Sequence, residues 1–216
     1  IHRVSVDPPF VTMKLIEGRT FLDILAGVPQ RDDALYKALD VLIQVSYALE
    51  YAHEKGILHR DIKPENVMVG RFNEVYLMDW GLSFEMNKRK GRSMQLAGTP
   101  AYMAPEMLLD NYSHLGVYSD VYLMGSMMHE ILTGKPRHEG ETLREVLQKV
   151  NGSPAYTFDD TVPTELAALC NRSCAREPSQ RPNSIGAFRD AILVFLSHSN
   201  ALSFATATEE KRLEFE

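Results

Sequence analysis

The stretch HRDIKPEN, residues His59–Asn66, decides how the rest of this sequence is interpreted. It brings together an imidazole, two cationic side chains, two carboxylates and a carboxamide, with a proline among them. Proline and short polar side chains disfavour the interior of a helix or a strand. We therefore predict a loop whose side chains carry chemistry.

The composition is that of an ordinary globular chain. The 216 residues are 44% hydrophobic and 24% charged, which is enough apolar material for one large domain or a compact pair of domains. The net charge of −6 argues against a nucleic-acid surface. Cys170 and Cys174 are expected to be reduced thiols. The sequence contains no apolar run long enough to cross a membrane, so we expect no membrane contact and a cytoplasmic setting.

Hydrophobic spacing predicts a few strands followed by many helices. The elements predicted first are a strand at Pro9–Leu15, a turn at Glu17–Thr20, a helix at Phe21–Leu25, a helix at Asp33–Lys55 closed by Gly56, and a hairpin of Val67–Gly70 and Glu74–Asp79. Further helices are predicted at Tyr118–Leu132, Glu141–Val150, Thr164–Ala175 and Ser184–Ser197, with Asn183 or Ser184 as the last cap. Residues 81–100 show little periodicity, and such long connections tend to be functional or disordered.

Four polar side chains around HRDIKPEN suggest one kind of reaction. Asp61 can accept a proton from an attacking hydroxyl or align that hydroxyl. Asn66 and Asp79 offer oxygen ligands of the kind that Mg²⁺ prefers, and Lys63 supplies positive charge beside them. Phosphoryl transfer needs this combination of alignment, Mg²⁺ and charge neutralisation.

Five motifs in order carry a family resemblance. They are HRDIKPEN, DWG at Asp79–Gly81, GTPAYMAPE at Gly98–Glu106, YSDVYLMG at Tyr118–Gly125 and SQRP at Ser179–Pro182. From about residue 9 to residue 196, the sequence resembles the C-terminal lobe of a eukaryotic-like (Hanks-type) serine/threonine protein kinase. Within that family, it resembles the bacterial kinases more than the animal ones. The resemblance implies an α+β, protein kinase-like fold: a mainly helical lobe with a short β hairpin.

The resemblance also divides the chain. Residues 1–16 would be the last strand of the N-terminal lobe and the hinge, residues 17–197 the C-terminal lobe, and residues 198–216 a tail or linker. Within the lobe, the catalytic loop would be 59–66 and the activation segment 79–106. Most of the N-terminal β lobe is absent from this sequence, either because it was cut away or because the natural chain is truncated and inactive. Residues 1–216 alone are therefore expected to bind ATP weakly and to phosphorylate poorly.

The resemblance assigns site roles residue by residue. The catalytic residues would be Asp61, Lys63 and Asn66. The ATP contacts would be Met13, Lys14, Ile16, Lys63, Asn66, Met68 and Asp79. The Mg²⁺ ligands would be Asn66 and Asp79.

Other residues would have regulatory or structural roles. Arg60 would pair with a phosphorylated activation segment, in which Ser93 is the favoured phosphosite and Thr99 is expected to bond near Asp61 and Lys63. The residues with structural roles would be His59, Trp80, Glu106, Asp120 and Arg181. His59 would pack under DWG, Glu106 and Arg181 would form a buried ion pair, and Asp120 would hold the catalytic-loop backbone. Trp80 departs from the Phe that the family usually has there.

The functional expectation is an ATP- and Mg²⁺-dependent protein serine/threonine kinase. Its partners would be a protein substrate, ATP and a second copy for autophosphorylation. Two alternatives stay open: a pseudokinase or scaffold lobe that binds protein partners, and a small-molecule phosphotransferase of the kinase-like group. The Met-rich stretch YLMGSMMHEIL is interpreted as core helix.

Overall fold

A computed structural model gives the fold. It describes residues 3–6, 9–12, 15–27, 32–88, 97–109 and 112–213. Met13, Lys14 and Ser93 of the predicted site lie outside these ranges.

The described residues form short strands and then long helices. The strands are β1 (Arg3–Val6), β2 (Pro9–Thr12), β3 (Gly18–Thr20), β4 (Ile57–Leu58), β5 (Val67–Gly70), β6 (Val75–Leu77) and β7 (Phe84–Glu85). The helices are α1 (Phe21–Gly27), α2 (Asp32–Glu54), α3 (Val117–Thr133), α4 (Leu143–Gly152), α5 (Thr164–Ser173) and α6 (Ile185–Leu213). The strands form three small antiparallel sheets: β1 with β2, β3–β5–β6, and β4 with β7.

The predicted turn at Glu17–Thr20 is wrong, because its last three residues form strand β3. Gly18 pairs with Gly70, and Thr20 pairs with Met68. A Cβ atom on Gly18 would lie 2.3 Å from the Val69 carbonyl oxygen. The glycine that suggested a turn therefore permits a close approach between two backbones.

The structure also differs from the sequence expectation at three other places. Residues 1–16 contain two strands, β1 and β2, where one was expected. The polar stretch after Gly81 contains β7, which is too short to leave a periodic pattern. Helix α6 continues to Leu213, sixteen residues beyond the predicted end at Ser197, because residues 198–213 contain no Gly or Pro to stop it.

The remaining helix predictions are confirmed, and the chain ends those helices as expected. Gly56 and Gly134 follow α2 and α3 with φ of 72° and 71°, the left-handed conformation that glycine adopts without a Cβ penalty. The Ser184 hydroxyl accepts a hydrogen bond from Ala187 N at 3.0 Å and so caps α6.

Helix α3 is the centre of the core, packed against α2, α5 and α6. Every residue from 119 to 130 is buried, which confirms the interpretation of the Met-rich stretch as core. A Cβ atom on Gly125 would lie 2.6 Å from Ser173 Cβ, so this glycine lets α3 and α5 meet closely. Cys170 and Cys174 are free and buried at the same interface.

Among the described residues, no helix combines the length and the apolar character needed to span a membrane.

A buried polar cluster lies beside α3. The Tyr122 hydroxyl is 2.9 Å from His138 Nε2 and 2.6 Å from Ser153 Oγ, and Ser153 in turn donates to the Cys174 carbonyl at 2.8 Å. His129 Nδ1 is 3.0 Å from the Lys135 carbonyl, and its ring contacts aromatic side chains. Burial lowers the pKa of His138 to about 3 and that of His129 to about 4, with further lowering by the Arg137 charge.

These two histidines predict a loss of stability in acid. A histidine with a lowered folded-state pKa stabilises the fold fully above its unfolded pKa, near 6.5, and loses that contribution as the pH falls toward the folded value. Between pH 7 and pH 5, we expect a loss of about 2 kcal/mol per histidine in the free energy of unfolding. Urea denaturation of the full-length protein at several pH values would measure it.

A pair of substitutions separates this effect from other acid effects. His138→Phe removes one titrating group, so the loss between pH 7 and pH 5 should shrink by about 2 kcal/mol. His198→Phe, at an exposed position of α6, should leave the pH dependence unchanged. Equal pH dependence in His138→Phe and the wild type would contradict the assignment.

Candidate active site

A carboxylate on α3 holds the backbone of the loop 59–66. Asp120 Oδ2 accepts from His59 N at 2.9 Å, and Asp120 Oδ1 accepts from Arg60 N at 3.0 Å. His53 Nε2, on α2, lies 2.8 Å from Asp120 Oδ2. Arg60 has φ of 69°, a conformation that costs free energy for a residue other than glycine. The two hydrogen bonds that Asp120 accepts stabilise that strained turn.

Asp61, which follows this turn, is the centre of a compact polar network. Its Oδ1 accepts from the Thr99 hydroxyl at 2.7 Å. Its Oδ2 accepts from Asn66 Nδ2 at 2.9 Å and lies 3.1 Å from Lys63 Nζ. Lys63 Nζ also donates to Thr99 Oγ1 at 2.6 Å, so the end of the segment 79–106 is tied to the loop. The Asp61 side chain is thus fixed in place although it lies on a loop.

Asn66 and Asp79 are brought together by the backbone. Met78 N, one residue before Asp79, donates to the Asn66 carbonyl at 2.7 Å. Asn66 Nδ2 also donates to the Asp61 carbonyl at 2.7 Å, so its carboxamide nitrogen is directed toward Asp61. Its carboxamide oxygen is the atom that remains for a cation. Asp79 is exposed and has φ of 56°, and its Oδ1 accepts from Gly81 N at 3.2 Å.

The side chains of His59 and Trp80 pack between the loop 59–66 and the backbone around Asp79. Asp61 N donates to His59 Nδ1 at 3.2 Å, so Nε2 carries the proton and donates to the Met78 carbonyl at 3.0 Å. Burial lowers the pKa of His59, which keeps the ring neutral. The rings of His59 and Trp80 meet edge-on at 4.6 Å, and Trp80 Nε1 donates to the Leu77 carbonyl at 3.0 Å. The Trp80 ring is larger than the Phe ring usual in the family, but it fits here, and its N–H group has the Leu77 carbonyl as hydrogen-bond acceptor.

Arg60 lies in a partly aromatic pocket. Its Nε donates to the Leu82 carbonyl at 2.7 Å, and its guanidinium carbon is 5.8 Å and 5.7 Å from the rings of Phe84 and Tyr112. Arg60 Nη1 is buried and has no hydrogen-bond partner in the part of the chain that the structure describes. A buried guanidinium with a free donor is a favourable place for an anion.

Glu106 and Arg181 form a buried, bidentate ion pair with distances of 2.7 and 2.8 Å. The guanidinium also donates to the main-chain carbonyls of Tyr118, Ala175 and Arg176, so all five of its N–H groups are used. Ser119 Oγ donates to Glu106 Oε1 at 2.8 Å. The pair links the end of the segment 79–106 to the loop before α6.

Of the remaining predicted ATP contacts, Ile16 and Met68 lie within the described residues. Ile16 is half-buried just before β3, and Met68 is half-buried on β5, where it pairs with Thr20. Met13 and Lys14 lie outside the described residues, as does Ser93. Within the described ranges, no group of three or more His, Cys, Asp or Glu side chains gathers in an arrangement that could hold a metal ion.

Sequence reasoning missed several contacts around the site. It did not assign His53 to Asp120 or Ser119 to Glu106, because neither residue lies in a spacing that suggests a pair. It also missed the hydrogen bond from the Tyr102 hydroxyl to Glu130 Oε2, at 2.7 Å. Desolvation and this carboxylate raise the pKa of Tyr102 far above its usual value. Residues so distant in sequence meet only through the tertiary fold.

Comparison with known proteins identifies the family of the chain. The family model described as protein kinase domain matches residues 9–192. PknD of Chlamydia pneumoniae, a serine/threonine-protein kinase, is 28% identical over 95% of this chain and 25% of its own length. A probable serine/threonine-protein kinase of Corynebacterium efficiens is 30% identical over 98% of this chain and 33% of its own length. Probable PknB of Corynebacterium glutamicum is 31% identical over 84% of this chain and 29% of its own length.

The chain therefore belongs to the protein kinase domain family, and these relatives are bacterial serine/threonine kinases, as the motifs indicated. The fold prediction of a largely helical, kinase-like α+β lobe is confirmed. The chain spans about a quarter to a third of the length of these relatives.

Proposed function

We propose that the full-length protein transfers the γ-phosphate of ATP to serine or threonine hydroxyls of proteins, and that this chain supplies the catalytic loop. The network around Asp61 is the observation that carries the proposal. A carboxylate fixed by Thr99, Lys63 and Asn66 can align a hydroxyl and accept its proton. The intact network favours catalysis over a scaffold role.

Three side chains have separate roles in the proposed reaction. Asp61 orients the substrate hydroxyl and takes up its proton as the oxygen attacks the γ-phosphorus of ATP and the bond from that phosphorus to ADP breaks. The Lys63 ammonium, 2.6 Å from the Thr99 hydroxyl, supplies positive charge beside the transferred group. Thr99 positions both side chains and so couples the segment 79–106 to the reacting carboxylate.

The donor set fits Mg²⁺ and ATP phosphates. The Asn66 carboxamide oxygen and the Asp79 carboxylate are hard oxygen ligands on adjacent backbone segments, joined by the hydrogen bond from Met78 N to the Asn66 carbonyl. Mg²⁺ is commonly held by one or two carboxylates together with substrate phosphates, where it neutralises charge on the phosphate oxygens. Ile16 and Met68, with Met13 and Lys14, remain the proposed contacts of ATP.

Regulation is proposed to act through Arg60 and the segment 79–106. The buried, unpartnered Nη1 of Arg60 supports pairing with a phosphate group, with Ser93 as the proposed phosphosite.

Self-association would bring one copy to phosphorylate another. The two free, buried cysteines support a cytoplasmic setting.

Asp79→Asn tests the proposed function. In the full-length protein, we expect phosphate transfer at saturating ATP to fall by about 10²-fold or more, because a weaker metal ligand reduces the stabilisation of transition-state charge. The Mg²⁺ concentration for half-maximal activity should also rise. A Mg²⁺ titration of the phosphorylation rate measures both effects.

Asp190→Asn is the matched control, because it removes an exposed carboxylate of α6. Its activity and Mg²⁺ dependence should equal those of the wild type. A wild-type protein that transfers no phosphate to any protein substrate, with or without Mg²⁺, would contradict the proposed function.

A further inference from the structure

Two buried nitrogen atoms near the end of α3 lack hydrogen-bond partners. They are His129 Nε2 and Arg137 Nε, and neither has a partner in the part of the chain that the structure describes. The His129 residue is only 2% exposed. Buried polar atoms are paired in the great majority of cases, so this pair of atoms needs a physical explanation. The roles proposed around Asp61 use neither side chain.

The two side chains lie between the loop after α3 and the loop after α4. His129 Nδ1 is 3.0 Å from the Lys135 carbonyl, and the His129 ring meets that of Tyr156 edge-on at 4.6 Å. Arg137 Nη2 donates to the Pro154 carbonyl. Burial and then the Arg137 charge lower the pKa of His129 to about 4, which agrees with a guanidinium close to the ring. The free atoms therefore belong to one place.

The Arg137 charge has no counter-charge among the described residues, because none of their carboxylates forms an ion pair with it. Arg181, by contrast, pairs with Glu106, and Arg189 pairs with Glu50. Arg137 is half-buried, and removing a charge from water without a partner is costly. A half-buried guanidinium with a free N–H group is a favourable place for an anion.

The two free atoms differ in hydrogen-bonding character, and this difference selects the kind of anion. The Lys135 carbonyl can only accept, so His129 Nδ1 carries the proton and Nε2 is an acceptor. Arg137 Nε is a donor. A phosphate group that keeps one proton offers an oxygen to Arg137 and a hydroxyl to His129, and its second pKa of about 6 makes that proton available near neutral pH. A carboxylate has no proton there and would leave His129 Nε2 unpaired.

The loop that carries Arg137 is attached to the end of the segment 79–106. His138 N, in the next residue, donates to the Ala101 carbonyl at 3.0 Å. Ala101 lies two residues after Thr99, whose hydroxyl contacts the proposed catalytic carboxylate at 2.7 Å. A group bound at Arg137 would therefore lie on a part of the lobe that adjoins the proposed site of transfer.

We propose that Arg137 and His129 bind the phosphate monoester of a phosphorylated serine or threonine in a protein substrate. The proposal rests on the proposed kinase function, because a substrate that has received one phosphate carries the group that this site takes. Such a substrate would bind more tightly for transfer to a second hydroxyl. Loss of a charge-assisted hydrogen bond from Arg137 should weaken that binding by about 10- to 100-fold.

A peptide selection tests the proposal. The full-length protein, without ATP, is given peptides that have a central phosphoserine or phosphothreonine and random flanking positions. A selected peptide is labelled, and its Kd is measured by fluorescence polarisation. We expect the same peptide with an unmodified residue, or with Glu, at the central position to bind about 10-fold more weakly or worse. Inorganic phosphate, measured separately as a competitor, shows whether the free ion is sufficient.

Variants of Arg137 provide the structural check. Arg137→Gln should weaken binding of the selected phosphopeptide by about 10- to 100-fold. Arg137→Met, which also removes the charge but keeps an apolar stem, repeats the test should Arg137→Gln not fold. Arg172→Gln is the matched control, because it makes the same change at an exposed position of α5. It should bind the phosphopeptide as the wild type does.

Each contrary outcome has a separate meaning. Equal affinity for the phosphorylated and unmodified peptides would overturn the phosphate site. Equal affinity of the wild type and both Arg137 variants for the phosphopeptide would place the phosphate elsewhere, such as at Arg60, and would also overturn it. Competition by inorganic phosphate without phosphopeptide binding would leave a free-ion site and overturn the substrate proposal. Phosphate transfer continues in all these cases, whereas a wild type that transfers no phosphate would contradict the proposed function.

Discussion

Asp61→Asn in the full-length protein should lower kcat for protein phosphorylation by about 10²- to 10⁴-fold, the range that general acid–base catalysis contributes. The carboxamide has nearly the same shape as the carboxylate, but it cannot accept the substrate proton and carries no negative charge. It also places a neutral group beside Lys63 Nζ, which in the wild type lies 3.1 Å from the charged Asp61 Oδ2. The KM for ATP should change little, because Asp61 is not a proposed ATP contact.

The control for Asp61→Asn is again Asp190→Asn, which should keep wild-type kcat and KM. Steady-state kinetics with a peptide substrate gives both constants for each variant. The circular dichroism spectrum of Asp61→Asn should match that of the wild type, since the fold does not depend on this charge. A kcat for Asp61→Asn within about tenfold of the wild type would remove Asp61 from the mechanism.

Breaking the ion pair between Glu106 and Arg181 should have the largest effect on stability. We expect Glu106→Gln to lower the free energy of unfolding by roughly 3–5 kcal/mol, because it leaves the buried Arg181 charge without its counter-charge. Side chains of the pair are 6% and 0% exposed, so water cannot replace the lost partner. The same change should loosen the end of the segment 79–106 and so disturb Thr99 and Asp61.

The partly exposed pair of Glu50 and Arg189 offers a matched comparison. Its closest contact is also 2.7 Å, but the Glu50 side chain is 39% exposed. Glu50→Gln should therefore cost no more than about 1 kcal/mol. Urea denaturation of both variants measures the difference. If Glu106→Gln is as stable as Glu50→Gln, the ion pair does not have the structural role assigned to it.

A paired substitution separates the charge from the packing. Glu106→Gln combined with Arg181→Met removes both charges, so its cost should be smaller than the sum of the two single substitutions. In the wild type, the Arg181 guanidinium donates five hydrogen bonds. The carbonyls that lose these donors would account for the cost that remains.

The sequence predicted the helical lobe and the chemistry of the loop 59–66 because both depend on local patterns. Helical spacing and terminal glycines such as Gly56 and Gly134 define the helices without knowledge of the tertiary fold. Asp61, Lys63 and Asn66 lie within six residues of one another, so their types and spacing alone pointed to phosphoryl transfer. Asp79, at the exit of the predicted hairpin, supplied the second oxygen ligand, and the family motifs then supplied the distant partner Thr99.

Other features depend on contacts that no local pattern encodes. Strand β3 forms because Gly18 fits against the Val69 carbonyl, and the same glycine is equally typical of a turn. His53 and Glu130 gain their partners, Asp120 and Tyr102, from packing around α3. An apolar cavity of about 890 Å³ is assembled from five separate parts of the chain: α1, α2, Val69 with Asn73, the end of α3 and residues 161–163. Its lining residues therefore look like ordinary core positions in the sequence.

The central claim is that Asp61 belongs to a working phosphotransferase, and one measurement tests it most directly. The intact mass of the full-length protein is recorded before and after incubation with Mg²⁺ and ATP, and again after phosphatase treatment, for the wild type and Asp61→Asn. We predict a gain of one or more phosphates in the wild type, reversed by phosphatase, and no gain in Asp61→Asn. Equal masses before and after incubation of the wild type, or an equal gain in both proteins, would contradict the account.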